Sequence, residues 1–413
     1  MAPRKLGIRY LHLLSRGYFE HGLYSLRHMD ASTLFYPSTS KAKAAAAAAT
    51  AAAAGRKREV GAPFDFALAA MEPARLLKQV INYRPLAAAG WPYYPYCPSS
   101  EVFARFGGGK ILCADAAGLA AVYDAEEQSF VPIPAMNSPK GSGHVAFSVS
   151  SRGTSGAGVG ASSGYADVLS AGNGKSADSI YVLDTSGGEF RKASCFEVLA
   201  YDGGREGWRW RALPPPPFLQ QDPYYDVARA ATPAYAVVGG GAAAARVFVS
   251  TAAATYAFDT AAREWSKAGD WALPFAGRAE HVPELGVCVG LTSDNDNPYG
   301  ILAVDLGGAV AAAGDGSAPP AALHVGMDLD PGPEQGEDDP EWSLEDQALV
   351  SLGSGRLCVA RFFNHYYDRY TSALAVFTGV EVVPGQAGDH GGLSLIRHKS
   401  QCIFTEGATL RVL

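Results

Sequence analysis

The sequence predicts an all-β protein built from repeated four-stranded sheets, on three observations. A unit of strand, hairpin, strand, Asp turn, strand, aromatic and Pro exit recurs along the chain. Turn formers are abundant, with 47 Gly and 26 Pro in 413 residues. Hardly any stretch sustains helical periodicity, while short alternating apolar runs are frequent, the pattern of an all-β chain.

The clearest unit is Arg246–Phe275, RVFVSTAAATYAFDTAAREWSKAGDWALPF. Val247 and Val249 alternate with Phe248 and Ser250, the period-two signature of a strand. Thr255–Phe258 is β-branched and aromatic and reads as a second strand. Asp259 ends it, because Asp bonds its own nearby backbone and favours turns. Trp265 follows six residues later and suits a returning strand. Trp271 and the pair Leu273-Pro274 close the unit, since proline lacks a ladder donor.

Copies of the pattern lie elsewhere. Lys110–Ala135 carries Asp124, then Phe130, then Pro132. Leu23–Pro37 carries Asp30, then Tyr36, then Pro37. Ile180–Phe190 carries Asp184, then Phe190, with an aromatic exit at Trp208, Trp210 and Leu213-Pro214. Ile301–Asp305 is a degraded copy without the later aromatic. Recurrence on this scale marks a repeat architecture with loops inserted between units, so residues 1–413 are expected to form one domain.

The elements follow in order. Arg9–Leu14, Leu23–Met29 and Leu34–Tyr36 read as strands of a first sheet. The alanine-rich run Lys41–Gly55 and the basic Arg56–Arg58 read as a low-complexity loop insertion over about 41–60, although alanine has high helix propensity. Phe64–Val80 is the best helix candidate, interrupted by Pro73. A second sheet is expected from Glu101 to Ile133, and a third from His144 to Ala212. The Gly/Ser-rich segment 151–177 interrupts the third sheet as a disordered insertion. The core unit with Tyr235–Val238 makes a fourth sheet, and Glu280 to Met327 a fifth. Pro331–Gln347 holds seven acids and no base, and reads as an extended, self-repelling insertion. Ala348 to His398 supplies a sixth sheet. Ile403–Leu413 has no sheet of its own. It is expected to pair with the N-terminal strands and close the array, removing its exposed edges.

Composition narrows the function. The net charge is −7 and the basic residues form no stripe, which argues against nucleic acid as a partner. No apolar run reaches the roughly 20 residues that cross a bilayer. The N-terminus has no apolar core or cleavage site of a signal peptide, so a cytoplasmic or nuclear location is expected. The six cysteines form no CxxC pair, and Cys113, Cys288 and Cys358 sit in apolar strands as core thiols.

The segments GLYSLRHMDASTLFYPS, KILCADAAGLAAVYDAE, TYAFDTAAREWSKAGDWALPF, LVSLGSGRLCVARFF and AVFTGVEVV resemble kelch-like β-propellers. More narrowly they resemble a plant family of kelch-like proteins of the domain-of-unknown-function type, expanded in cereals. The resemblance implies a propeller, with six four-stranded blades favoured over five or seven, and it carries no activity. The chain departs from ordinary kelch repeats in lacking a regular double glycine. Gly107–Gly109 and Gly239–Gly241 are the nearest approaches. Some plant propellers of this kind follow an F-box, and none is legible before the first strands here.

Candidate chemistry is sparse. No phosphate loop, nucleophile elbow or metal-binding His pair is present. His365, in FFNHYYDRY, has the neighbours of an acid–base or copper-binding histidine, against a solvated loop residue. Asp294–Asn297 offers oxygen ligands but lacks the rest of a calcium loop, and Asp328 and Asp330 share that ambiguity. Asp30, Asp124, Asp184 and Asp259 recur with the unit, so one turn role explains all four. Trp208, Trp210, Trp265 and Trp271 read as packing between sheets. The best binding surface is the proline-ordered aromatic loop of Trp91, Tyr93, Tyr94 and Tyr96, because Tyr and Trp dominate interface hot spots. No catalytic residue, metal site or cofactor is assigned. The favoured reading is a monomeric, non-enzymatic scaffold or adaptor that binds a protein partner. The alternative is a propeller-type enzyme, a metal-dependent oxidase or a sugar-acting hydrolase.

Overall fold

A computed structural model describes residues 6–16, 23–54, 71–74, 77–85, 101–106, 109–125, 127–141, 143–151, 177–185, 194–202, 207–221, 233–239, 244–293, 300–307, 319–326, 342–365, 373–385, 392–405 and 409–413. Strands β1 (Tyr10–Arg16) and β2 (Tyr24–Asp30) precede a 3-10 turn (Ala31–Leu34), helix α1 (Thr39–Ala54), β3 (Glu72–Pro73) and β4 (Leu77–Tyr83). Then come β5 (Val102–Phe106), β6 (Lys110–Ala114), β7 (Ala120–Asp124), β8 (Ser129–Pro132), β9 (His144–Ser151), β10 (Ala177–Asp184), β11 (Phe196–Asp202) and β12 (Gly207–Ala212). The short helix α2 (Pro217–Gln221) leads to β13 (Ala234–Val238), β14 (Arg246–Ser250), β15 (Thr255–Asp259) and β16 (Glu264–Gly269). The remainder is β17 (Arg278–Val282), β18 (Val287–Leu291), β19 (Ile301–Val304), β20 (Ala322–Gly326), β21 (Trp342–Gly353), β22 (Arg356–His365), β23 (Ala373–Pro384), β24 (Leu393–Thr405) and β25 (Thr409–Val412).

The chain divides into two compact units, Met1–Arg84 with Arg278–Asp305 and Pro320–Leu413, and Pro85–Gly277 with Leu306–Pro319. In the first unit the antiparallel sets run β25-β1-β2-β4, β17-β18-β19-β20 and β21-β22-β23-β24. The two-residue β3 adds to β24 in parallel. One apolar cluster joins β17–β20 to β21–β24 through Val289, Leu357 and Val380. Another joins β21–β24 to β1 and β2 through Leu11, Met29 and Phe377. The second unit holds β5–β8, β9–β12 and β13–β16, each a four-stranded antiparallel set. Its clusters join neighbouring sets in the same way, one around Leu112, Val182 and Leu199 and one around Phe196, Val247 and Phe258. The two inner strands of the middle set in each unit, β10 and β11 or β22 and β23, bury successive residues such as Ile180–Leu183 and Leu357–Phe363, so both their faces are covered.

The expected pairing with the N-terminal strands is found for Thr409–Val412: Leu13 lies opposite Val412, and His12 and Leu413 exchange backbone bonds of 3.0 and 2.9 Å. Ile403–Thr405, read as part of the same segment, is instead the end of β24 and pairs with β23. Four other expectations are corrected. Leu34–Tyr36 is no strand. Asp30 caps a 3-10 turn there by accepting the Ser32 N–H at 2.9 Å, and β4 takes the place beside β2. The alanine run is a helix, α1, packed on β24 with Ala42 fully buried. Small side chains let its backbone approach a sheet that gives it the tertiary support short helices need. Leu77–Val80, read as the end of a helix, belongs to β4, whose Val80, Ile81 and Tyr83 suit a strand. Trp342–Gln347, read as acidic insertion, is the start of β21 and pairs with β22.

Candidate functional site

The aromatic loop of Trp91, Tyr93, Tyr94 and Tyr96 lies outside the described residues, as do Asp294–Asn297, Asp328 and Asp330. His365 is the last residue of β22, not a loop residue, and its backbone pairs with Trp342.

The recurrent aspartates have turn roles, with one exception. Asp259 Oδ1 accepts the N–H of Ala261 and Ala262 at 2.9 and 3.0 Å, and Asp124 Oδ1 accepts that of Glu127 at 3.2 Å. Asp184 is different: it ends the second strand of its set and accepts the Gly141 N–H at 2.7 Å. The position equivalent to Asp259 in that set is Asp202, at the end of β11, six residues before Trp208. A basic residue also recurs opposite the turn aspartate: Lys110 pairs with Asp124, Arg246 with Asp259 at 3.9 Å, and Arg9 with Asp30 at 3.6 Å. That signal was available in the sequence as a Lys or Arg at the start of the preceding strand.

Two buried polar clusters combine groups capable of acid–base chemistry. In the second unit the fully buried Lys140 ammonium pairs with Glu197. It also donates to the carbonyls of Ser138 and Ser194 at 3.0 and 2.7 Å and lies 3.1 Å from Ser138 Oγ. Glu197 accepts in addition from the backbone N–H of Asn137 and Ser138, at 3.0 and 3.3 Å. In the first unit Tyr36 N–H donates to His398 Nδ1 at 3.2 Å, which places the neutral ring's proton on Nε2. Nε2 then donates to Glu381 Oε2 at 3.3 Å, and the Thr39 hydroxyl donates to the same oxygen at 2.8 Å. Both ring nitrogens of His398 are thus engaged inside the protein. These clusters fasten loops to sheets.

Five cysteines, Cys113, Cys195, Cys288, Cys358 and Cys402, are buried free thiols. Burial pushes Cys113 and Cys288 up to about 12 and Cys195 to about 11, which suppresses the thiolate. Among the described residues no group of three or more His, Cys, Asp or Glu could hold a metal ion, and no helix is long and apolar enough to cross a membrane.

Among the described residues of the second unit, exposed large apolar side chains lie at and near β8. All four residues of this edge strand are exposed, Phe130 at 37% and Val131 at 45%, with Leu119 at 45% nearby in sequence. Among the described residues β8 pairs with β7 alone, at the edge of its sheet.

These features define a mostly β protein of face-packed four-stranded antiparallel sets. The chain belongs to the family described as protein of unknown function (DUF1668), whose model matches residues 9–403. No curated protein matches it. Among solved structures it is similar to AztD of Citrobacter koseri, at 9% identity over 97% of this chain and 91% of that one, with a TM-score of 0.34. It is also similar to the Cps50 (Swd1) β-propeller domain of Myceliophteria thermophila, at 12% identity over 74% and 86%, with a TM-score of 0.29.

Proposed function

We propose that the chain is a monomeric, kelch-like β-propeller scaffold of six blades, acting in the cytoplasm or nucleus, that binds a protein partner and has no catalytic activity of its own. The observation that carries this reading is the edge strand β8, which exposes Phe130 and Val131 and, among the described residues, pairs with β7 alone. An extended segment of a partner protein adds to such an edge as a further strand, the backbone supplying affinity and alternate side chains supplying specificity. The loop of Trp91, Tyr93, Tyr94 and Tyr96 is the second contact we assign to that partner. The full burial of His398 and Lys140, each bonded to protein groups, supports the non-enzymatic part of the reading, since neither side chain faces a surface that a substrate could reach.

The test is affinity purification of the tagged chain from its own tissue, with mass spectrometry and metal analysis on one eluate. Val131→Lys and a variant with the four loop aromatics changed to Ala are purified alongside. The scaffold reading expects a stoichiometric partner that both folded variants lose. Retention by both variants removes these contacts, and a full equivalent of metal without a partner overturns the reading.

A further inference from the structure

We propose that His398 is a proton-operated latch for the segment running from Phe35 through the first turns of α1. The geometry is specific about where a proton must go. Nε2 already carries one and directs it at Glu381, so a second proton enters at Nδ1. Nδ1 is the acceptor for Tyr36 N–H. Protonation turns that acceptor into a donor facing a donor, and the Tyr36 amide must leave.

The amide anchors a continuous clasp. Leu34 lies against β23 so closely that a Cβ on Gly379 would sit 2.5 Å from the Leu34 carbonyl oxygen. Phe35 packs on the His398 ring at 4.9 Å, and Tyr36 lies at 6.2 Å. Thr39, the first residue of α1, bonds Glu381. Beyond it only Ala42 is buried among residues 40–48. With so little apolar area holding α1, losing the polar anchors at its entrance frees the segment.

The charged groups facing His398 have been weighed together. Glu381 on β23 favours the protonated ring, whereas Arg356 on β22, 3.9 Å from Glu381, opposes it. Burial is the largest influence, and the net result is a pKa below the ordinary histidine value. Lys399 lies over the Tyr36 ring at 5.3 Å, on the segment that moves. Because the docked state resists the proton, the released state binds more protons as pH falls below about 6.5, and docking weakens in that direction.

The experiment is hydrogen exchange with mass spectrometry on residues 35–48 of the full chain at about pH 7.5 and about pH 5, corrected for the intrinsic pH dependence of exchange. Wild type should lose protection there by about tenfold or more at the lower pH, while β18 and β22 stay protected. His398→Asn keeps an acceptor near the Nδ1 position and does not titrate, so its segment should exchange equally at both pH values. His398→Ala should exchange rapidly at both. Equal wild-type protection at the two pH values overturns the latch. So does a pH response that survives in His398→Asn, because another group would then be titrating.

Discussion

The indole N–H of Trp265 donates to the carbonyl of Pro214 at 2.9 Å, tying the last strand of one four-stranded set to the proline exit of the set before it. Trp210 makes the same bond to Pro134 at 2.8 Å. In these two sets a tryptophan of the last strand therefore fastens to the proline exit of the set before it, Trp210 doing so from two residues further along its strand than Trp265. Phe130, at the corresponding place in β8, has no such donor; its ring lies against Tyr123 at 5.2 Å.

Replacing Trp265 or Trp210 by Phe removes the N–H and keeps most of the ring. Each change should cost about 1 kcal/mol, the net value of one hydrogen bond. Urea denaturation should show a lower midpoint with an unchanged slope.

Lys140→Met leaves Glu197 buried without its cation. This should cost about 3–5 kcal/mol, because an uncompensated buried charge is expensive. The double variant Lys140→Met with Glu197→Leu should recover much of the loss. Thermal melting of the three proteins checks both statements, and a double variant no better than the single would show that the loop bonds to Glu197 matter more than its charge.

Gly379→Ala places a methyl group 2.5 Å from the Leu34 carbonyl oxygen, inside any normal contact. Overpacking of this kind costs about 1–3 kcal/mol. The 3-10 turn should lift from β23, seen as faster exchange at residues 31–36 while β1 and β2 remain protected.

The buried thiols should resist alkylation. With a pKa of about 12, Cys113 and Cys288 hold roughly one thiolate in ten thousand near pH 8. Iodoacetamide should leave Cys113, Cys195, Cys288, Cys358 and Cys402 unlabelled in the native protein and label all five in urea, as read by peptide mass mapping.

The period-two runs determined by themselves that the chain is β-rich, and the spacing from Asp to aromatic to Pro marked where most sets end. Both are local signals: alternation places side chains on two faces, and Asp and Pro act on the backbone next to them. The pairing of Thr409–Val412 with β1 was legible for a related reason, since a lone strand needs an edge, whereas Ile403–Thr405 went to β24 because β23 extends far enough to pair with it. Tertiary structure decided what local preference leaves undetermined. Leu77–Val80 is strand because β2 offers it a partner, and the alanine run is helix because β24 supports it. Asp184, which shares the local pattern of Asp259, serves a distant glycine amide because it ends the second strand of its set rather than the third. The His398–Glu381 and Lys140–Glu197 clusters join residues far apart in the chain. No periodicity encodes them, and they exist only where folding brings a buried charge to its partner and removes the water that would otherwise solvate both.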